Sequence, residues 1–431
     1  MNHNPFRYLQ PVTPQTFVGR WDLVNRIVED LLHANGDSHA IIGGPRSGKT
    51  SLLLVLAEQL RQAALDAENA PIPLPVYIDL RAMTFDAAEA VFAFLLQQVY
   101  RQIKPTLRSQ ASDLRSARMG AESRWLEQLI DSPKLAAQDF EEGLLYLLDQ
   151  CGSATRPACL ILLVDEGGKS LDQPWTPALY NQARNLLYND EFKRRVRLVL
   201  ASSSRFLDQS SLYDLPLCGM LKLHTLQVFE PAALNELLAY APGLSSSAQT
   251  AIQNLSGGYP FLAQYLLYHV WEATNGVNLD GVESAWIERI AASFLVERGF
   301  ELEAWNHVLN AIDLSTYHVL STATDWVAEE QLLATVDAPA QRIRRALLTL
   351  CTQGLVAHDG SWTRFHCTGE IFRRVFTTAA AYSPAGTPTA SKSAPTYITI
   401  DTGGGAYIAG SVQTSGGSFV GHDALARPSL N

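Results

Sequence analysis

A glycine-rich stretch early in the chain has the residue types and spacing of a phosphate-binding loop. A short apolar run, residues 40–42, precedes it, and an aliphatic segment that favours a helix, SLLLVLAEQL, follows it. Glycines at both ends let the backbone fold around a phosphate, so that consecutive N–H groups and a helix N-terminus point at the anion. Lys49 is expected to reach the β- and γ-phosphates of a nucleotide, and the Thr50 hydroxyl to hold Mg²⁺. The predicted loop residues are Gly43, Gly44, Pro45, Arg46, Ser47, Gly48, Lys49, Thr50 and Ser51.

Two carboxylates follow a second apolar run. The six residues 159–164 are all apolar, and Asp165 and Glu166 come directly after them. Such a run is typical of a central parallel strand, and ligands in open α/β sheets bind at the carboxyl ends of the strands. Asp165 is therefore predicted to orient the Mg²⁺ shell, and Glu166 to polarise the attacking water as a general base. With the phosphate loop, this pair resembles the Walker motifs and predicts an ATPase whose ligands are ATP or ADP and Mg²⁺.

The composition is that of an ordinary globular protein, and it narrows the possible partners. Hydrophobic residues make up 47% of the 431 residues and charged residues 18%, enough for a sizeable core. The net charge of −10 argues against a broad surface that binds nucleic acid or acidic membranes, so neither is expected as a partner. A local basic patch is still compatible with this net charge. Five cysteines without a C-x-x-C spacing predict buried thiols in a reducing compartment. Because the sequence has no secretory signal pattern and no apolar stretch of membrane-spanning length, the chain is expected in the cytoplasm.

Short apolar runs alternate with helical patterns around these motifs. Strands are predicted at 76–80 and 195–201, with a last strand inside 215–230. Helices are predicted at 84–107 and 122–150. These elements would build the sheet that positions the phosphate loop and the two carboxylates.

A tetrapeptide, Phe17-Val18-Gly19-Arg20, lies about twenty residues before the phosphate loop. In this position it looks like the opening motif of the STAND-type AAA+ ATPases, a family that includes NLR-like proteins. The segment lies against the adenine in that family, so the resemblance makes these four residues nucleotide contacts. An ordinary turn before a helix is the alternative interpretation of the tetrapeptide.

Two further motifs follow in the order that this resemblance implies. In STAND ATPases a strand in the position of 195–201 ends in a polar sensor, often with an arginine that contacts the γ-phosphate. The resemblance gives that role to Arg205, with Ser203 and Ser204 as secondary candidates. Residues 255–262, LSGGYPFL, resemble the G-x-P motif of the helical lid, whose proline, here Pro260, packs on the adenine. A strand-end cap and a plain helix–helix turn are the respective alternatives.

The resemblance covers residues 1–376 and implies an order of domains. The predicted fold class is α/β: a P-loop NTPase with a parallel sheet, followed by a helical lid, a winged helix and a short glycine-rich β-repeat tail. Lid helices are predicted near 246–255, 260–273 and 281–298. Helical patterns at 302–323, 325–336 and 338–353 precede a hairpin signal at Asp359-Gly360. The predicted boundaries are an extended N-terminal segment at 1–16, the ATPase domain at 17–230, the lid at 231–300, the winged helix at 301–376, a flexible linker at 377–396 and the tail at 397–431.

The tail contains a short internal repeat. Residues 402–410, TGGGAYIAG, recur twelve positions later as TSGGSFVGH, and each copy places an aromatic and a β-branched residue between glycine turns. Low charge and β-rich segments in register suit a cross-β stack. The tail resembles the amyloid-type signalling motifs of NLR-like proteins, which pass a signal to an effector carrying a matching motif. A disordered glycine-rich tail is the alternative.

The leading hypothesis is a nucleotide-driven switch, closed with ADP and open with ATP, in which hydrolysis is slow and regulatory. It is expected to form a homo-oligomer whose clustered tails nucleate an effector protein with a matching motif, in bacterial antiviral defence. The alternative is a DNA-associated AAA+ ATPase that places the basic start of its third winged-helix helix, Gln341-Arg342-Ile343-Arg344-Arg345, on duplex DNA. A housekeeping ATPase with a sticky tail is a third possibility. The sequence shows no sensor repeats, so the trigger is expected to be sensed either by the winged helix and nearby surfaces or by a separate protein. It also shows no identifiable arginine finger.

Overall fold

The computed structural model describes residues 3–66, 71–111, 119–153, 155–207, 217–277 and 279–380. The predicted tail at 397–431 lies outside the described residues, and so does most of the predicted linker. The last described helix extends to Ala380, so the first four residues of the predicted linker are helical.

Five strands of the described residues form a parallel sheet: β1 (Ser38–Ile42), β2 (Ile72–Asp79), β3 (Ala158–Asp165), β4 (Val196–Ser202) and β5 (Leu221–Thr225). Their order across the sheet is β2-β3-β4-β1-β5. Every residue of β1 and β4 is buried, because helices cover both faces, and this explains the continuous apolar runs in the sequence. The predicted α/β class with a parallel sheet is confirmed.

The strand order brings the predicted motifs to one edge of the sheet. β4 lies between β1 and β3, with Ile42 opposite Ser202 and Leu200 opposite Val164. Because all three strands are parallel, their carboxyl ends meet, and the loops that follow them lie side by side. The phosphate loop, Asp165-Glu166 and residues 203–205 are therefore neighbours.

Helices pack on both faces of the sheet and enclose two separate cores. One face carries α1 (Trp21–Leu32) and α2 (Lys49–Asp66). The other face carries α3 (Ala88–Ala111), α4 (Met119–Asp131), α5 (Ala137–Cys151) and α7 (Thr176–Tyr188), while α6 (Gly167–Ser170) is a single turn after β3.

The prediction of one continuous helix over 122–150 is wrong, since α4 ends at Asp131 and α5 begins at Ala137. Pro133 lies in the gap; proline disfavours helical backbone in the residue before it and cannot donate an N–H to a preceding turn. The Ser132 hydroxyl closes the turn by donating to the carbonyl of Lys134 at 2.6 Å.

Among the described residues, four helices follow the sheet, and the last three lie close to the predicted positions: α8 (Pro231–Leu238), α9 (Ser246–Ser256), α10 (Pro260–Thr274) and α11 (Ser284–Arg298). Pro231 and Pro260 each occupy the first turn of a helix, where a missing N–H breaks no helical hydrogen bond.

The remaining elements have the arrangement of a winged helix. They are α12 (Ala311–Thr322), β6 (Val327–Ala328), α13 (Glu329–Thr335), α14 (Ala340–Thr352), β7 (Val356–His358), β8 (Arg364–Cys367) and α15 (Glu370–Ala380). β7 and β8 form the antiparallel hairpin expected around Asp359-Gly360, and β6 pairs with β8. The predicted helix 302–323 is wrong at its start, because Gly299–His307 is a 3-10 segment. The α-helix α12 begins only after this segment, at a capping box formed by Asn310.

One continuous hydrophobic core joins the four helices after the sheet to the winged helix. Phe294, Trp305, Leu350 and Phe372 come from different elements of this core and are each fully buried. The described residues accordingly form a single unit. Among the described residues, no helix has both the length and the apolar character needed to cross a membrane.

Candidate nucleotide-binding site

The phosphate loop connects β1 to the first turn of α2, as the sequence predicts. Lys49, the first residue of α2, donates hydrogen bonds to the carbonyls of Gly43 at 3.0 Å and Gly44 at 2.8 Å. Arg46 and Gly48 turn the loop with left-handed backbone, at φ values of +57° and +95°. Lys49 is partly buried, and the resulting desolvation lowers the pKa of its ammonium to about 8. The lysine is thus held over the loop by carbonyls that phosphate oxygens would replace.

Asp165, at the end of β3, accepts three hydrogen bonds. The Thr50 hydroxyl donates to its Oδ2 at 2.6 Å and the Tyr77 hydroxyl to the same oxygen at 3.0 Å, while the N–H of Glu166 donates to Oδ1 at 2.8 Å. Burial, with the charge of Asp165 nearby, raises the pKa of Tyr77 above its usual range, so the phenol keeps its proton. The two residues predicted to bind the metal, Thr50 and Asp165, are therefore in direct contact.

The Thr50–Asp165 pair fits a magnesium ion. Hydroxyl and carboxylate oxygens are hard ligands, and proteins commonly hold Mg²⁺ through one or two such groups together with substrate phosphates. No group of three or more His, Cys, Asp or Glu side chains suited to a metal occurs in the described part of the chain. Bound with a nucleotide, Mg²⁺ would neutralise charge on the β- and γ-phosphates.

Glu166 lies directly after Asp165 with left-handed backbone, at a φ of +61°. Its Oε1 is 3.5 Å from the guanidinium of Arg81, which also pairs with Asp79 at 2.8 Å. Hydrogen bonding to Asp79 raises the pKa of Arg81, so this cation stays charged. The predicted general base is thus held by an arginine that sequence reasoning missed, although Arg81 directly follows a predicted strand at the ligand-binding edge.

Phe17, Val18 and Gly19 lie between the sheet and the helices that follow it. Phe17 is buried in the core of α1 and α2, and Val18 is buried in the core shared with α8 and α10. Gly19 has a φ of +72°, and a side chain there would meet the Cβ of Ala233 in α8 at 2.2 Å. This close approach requires glycine, so the tetrapeptide is a packed junction rather than an ordinary turn.

Arg20 ties this junction to the phosphate loop. Its guanidinium donates to the carbonyl of Ser47 at 2.6 Å and to that of Gln227 at 2.7 Å, and it lies 5.1 Å from the ring centroid of Phe229. Burial lowers the pKa of Arg20 to about 10, which leaves it charged at neutral pH. The arginine therefore supports the loop backbone and adds positive charge beside it.

Residues 4–12, named here the N-terminal strap, cover one side of the site. Tyr8 packs edge-on against Tyr265 and Tyr268 of α10, with ring centroids 5.0 and 5.1 Å apart. The N–H of Val12 donates to the Ser51 hydroxyl of α2 at 3.2 Å. The strap thus joins α10 to the helix of the phosphate loop, a role that the sequence did not indicate beyond an extended conformation.

The helices after the sheet and the winged helix also contact the phosphate loop. The Tyr259 hydroxyl, just before Pro260, donates to the carbonyl of Pro45 at 2.5 Å. Gln353, fully buried at the end of α14, donates from its side-chain amide to the Ser204 hydroxyl. A Cβ added at Gly44 would lie 2.5 Å from the Gln353 carbonyl and 2.8 Å from the Tyr259 hydroxyl. Three parts of the chain therefore meet around the loop.

Arg205, the predicted sensor, lies in a 3-10 turn after β4 and is 47% exposed. Its two terminal nitrogens each donate to the carboxylate of Asp172 at 3.0 Å. Ser203 and Arg205 both line the same cavity as the phosphate loop. The structure therefore places Arg205 beside the site, in an ion pair that sequence reasoning did not anticipate.

Most of the predicted site residues line one cavity of about 700 Å³, named here the nucleotide cavity. Pro260, Phe261 and Phe229 form apolar parts of its wall. Glu166 is the only acidic residue among the described residues that line it, against seven basic ones: Arg7, Arg20, Arg46, Lys49, Arg81, Lys169 and Arg205. Apolar walls and clustered cations suit a base and its phosphates, respectively. The predicted residues that do not line the cavity are Gly19, Gly43, Gly44, Ser47, Asp165 and the secondary candidate Ser204.

No protein-family model matches the sequence, and no curated protein matches it. Solved structures do match. A Walker-type ATPase of Pyrococcus abyssi is 15% identical, with a TM-score of 0.56, over 86% of this chain and 99% of its own. The ORC2 protein of Aeropyrum pernix is 17% identical with a TM-score of 0.46, over 84% of this chain and 93% of its own. The RuvB branch migration motor of Thermotoga maritima is 15% identical with a TM-score of 0.39, over 88% of this chain and 100% of its own.

These likenesses concern the fold. At 15% identity the Pyrococcus abyssi protein shows a shared architecture, and the other two scores are too low to carry an argument. The chain has the parallel α/β fold of Walker-type P-loop ATPases. Its phosphate loop, Thr50 and Asp165 occupy the positions in the sheet that such a fold requires of them.

Proposed function

We propose that this protein is an ATP-dependent switch of the AAA+ type that binds Mg²⁺–ATP in the nucleotide cavity and hydrolyses it slowly. The observation that carries the proposal is the charge of that cavity. Among the described residues, seven basic side chains and one carboxylate line it, in a chain whose net charge is −10. Such a concentration of cations around a glycine loop suits a triphosphate, because phosphate oxygens are best stabilised by charged donors.

In the proposed reaction, every group except Arg205 acts from the position described above. Lys49 binds the β- and γ-phosphates, and Thr50 with Asp165 holds the magnesium ion. Glu166 accepts the proton of the attacking water, and Arg205 contacts the γ-phosphate after leaving Asp172. The ion pair with Arg81 restrains Glu166 and is consistent with slow, regulatory turnover.

The contacts of the phosphate loop with later parts of the chain support a switch. Tyr259 and Gln353 reach the loop and the strand-end turn directly, so a bound γ-phosphate would alter the surfaces on which they rest. We propose the domain boundaries predicted above, with residues 231–300 as the lid and 301–376 as the winged helix. ADP would favour the closed arrangement. ATP would open it and allow a homo-oligomer, whose tails at 397–431, outside the described residues, recruit an effector.

Two substitutions test the nucleotide chemistry. Lys49→Ala should abolish ATP binding, because the triphosphate loses its principal cation. Glu166→Gln should bind ATP as the wild type does but hydrolyse it about 10²- to 10⁴-fold more slowly, because only the base is lost. Fluorescence titration with a labelled ATP analogue measures the first effect, and phosphate release measures the second.

The exposed residues Lys134 and Glu127, remote from the cavity lining, provide matched controls as Lys134→Ala and Glu127→Gln. Both controls should bind and hydrolyse ATP at wild-type levels. Wild-type turnover in Glu166→Gln would disprove the assignment of the base. Failure of the wild-type protein to bind ATP would disprove the proposal as a whole.

Binding of duplex DNA is a second candidate function, favoured by the surface of α14. Arg342, Arg344 and Arg345 are all exposed at the start of this helix, and Arg344 pairs with Glu329 at 2.6 Å. The first proposal expects the triple change of Arg342, Arg344 and Arg345 to Ala to leave ATP-driven assembly intact. Submicromolar, salt-sensitive duplex binding at physiological ionic strength, lost in that triple variant, would favour the second candidate instead.

A further inference from the structure

Tyr77 reaches the metal-binding carboxylate from a neighbouring strand. β2 is the outermost strand on its side of the sheet, and its neighbour β3 ends in Asp165. The Tyr77 hydroxyl donates to Oδ2 of Asp165 at 3.0 Å, the same oxygen that receives the Thr50 hydroxyl. Asp165 is only 1% exposed, so these protein donors take the place of water around it.

Gln102 of α3 fixes the backbone at Tyr77. Its side-chain oxygen accepts from the N–H of Tyr77 at 2.9 Å, and its amide nitrogen donates to the carbonyl of Tyr77 at 2.8 Å. An edge strand has backbone groups that no further strand can pair, and here a side-chain amide pairs them as a strand would. Tyr77 is therefore held by hydrogen bonds at both its backbone and its side-chain hydroxyl.

We propose that Tyr77 is a positioning residue for the magnesium site and that Gln102 supports it. By holding Oδ2 of Asp165 beside Thr50, Tyr77 arranges the two oxygen donors before the metal–nucleotide complex arrives. The inference rests on the proposed function, because it assumes that Mg²⁺ and nucleotide bind together in the nucleotide cavity. Groups that orient metal ligands through hydrogen bonds commonly change metal affinity by 10- to 100-fold when they are removed.

The test measures metal dependence at equilibrium. The 431-residue protein is treated with EDTA and mixed with a fluorescent ADP analogue, and MgCl₂ is then titrated in. Tyr77→Phe keeps the ring and removes the donor, so we expect about tenfold more Mg²⁺ at half-saturation, with metal-free ADP binding unchanged. Gln102→Leu should shift the midpoint in the same direction by a smaller factor. Tyr100→Phe makes the same change at a tyrosine of α3, two residues before Gln102, that has no recorded contact with Asp165; it should behave as the wild type.

Each outcome decides between explanations. Equal Mg²⁺ midpoints in Tyr77→Phe and the wild type would overturn the inference while leaving nucleotide binding intact. Equal losses with and without Mg²⁺ would also overturn it, because they indicate a purely structural role. No ADP binding by the wild type would instead overturn the proposed function and this inference with it. If Tyr77→Phe proves unfolded by thermal denaturation, the shift in Gln102→Leu alone decides the matter.

Discussion

Lys49 is the residue whose charge most directly governs the proposed phosphate binding. It donates to two loop carbonyls and lacks much of its water, and this desolvation lowers its pKa to about 8. The ammonium form is therefore dominant at neutral pH but not far above it. An anionic ligand would favour the charged form again, so proton uptake and phosphate binding are linked.

This linkage predicts that nucleotide affinity falls as the pH rises through about 8. Above that pH the free protein has lost the proton that the complex needs, so affinity at pH 9 should be about tenfold lower than at pH 7. Lys49→Arg keeps its charge over the whole range, so whatever affinity it retains should vary little with pH. Isothermal titration calorimetry between pH 7 and 9.5 measures both curves, and a flat wild-type curve would contradict the prediction.

Sequence reasoning found the residues that local spacing identifies and missed those that only the fold brings near. The glycine loop and Asp165 carry their own signals, and the fold joins them through the Thr50–Asp165 hydrogen bond. Tyr77 and Arg81 have no motif of their own. They reach the site because β2 lies beside β3, and that pairing depends on contacts distant in sequence. The sequence offered one signal for Tyr77, its position near the end of a predicted strand. Tyr77 lies two residues before Asp79, so the two side chains point to the same face of the sheet.

At the scale of elements, buried strands were predictable and their order was not. β1, β3 and β4 are covered on both faces and so appear as apolar runs, whereas their arrangement depends on which helices cover which face. Helix ends depend on local chemistry, as Pro133 and the Asn310 capping box show. The junction of the phosphate loop with α14 could not be read from either segment, because it joins residues about 300 positions apart.

That junction predicts a specific effect of Gly44→Ala. The added methyl group would meet backbone and hydroxyl oxygens at 2.5–2.8 Å, so α14 and Tyr259 must move away from the loop. We expect a destabilisation of about 1–3 kcal/mol, with faster limited proteolysis after α14. Thermal unfolding without nucleotide measures the first effect.

Gly281→Ala is the matched control, because a Cβ at Gly281 meets no atom within 4 Å. It should unfold within about 0.5 kcal/mol of the wild type. If Gly44→Ala were as stable as Gly281→Ala, the loop and the winged helix could not be packed as described.

At the scale of the whole molecule, the elements after the sheet act together. Leu302 and Trp305, in the 3-10 segment Gly299–His307, are fully buried in the same core as α10 and α15. The proposed boundary at residue 300 therefore lies within continuous packing. A change in the lid would move the winged helix with it, so nucleotide state could be transmitted over a long distance without a flexible hinge.

Assembly of the whole protein is predicted to depend on the tail, which lies outside the described residues. Clustering on an ATP-driven oligomer would raise the effective concentration of tails towards the millimolar range. A charge inside a stack recurs in every layer, so Val420→Asp should block assembly and leave ATP hydrolysis normal. Thioflavin fluorescence of the full-length protein with ATP measures assembly.

Ala424→Asp, outside the repeated segments, adds the same charge and should assemble as the wild type does. The peptide 397–423 should form β-rich fibres on its own at high concentration. A peptide that stays monomeric at millimolar concentration would reduce the tail to a linker.

The N-terminal strap also offers a position for a fluorescent dye that would report nucleotide binding. Leu9 lines the nucleotide cavity yet is 61% exposed, so it lies at the rim rather than in the wall. An environment-sensitive dye attached through Leu9→Cys would sit where an arriving nucleotide displaces water. The described cysteine side chains, Cys151, Cys159, Cys351 and Cys367, are all buried and so are poor competitors for the label. The emission of the dye would then report occupancy of the nucleotide cavity in real time, before any phosphate is released.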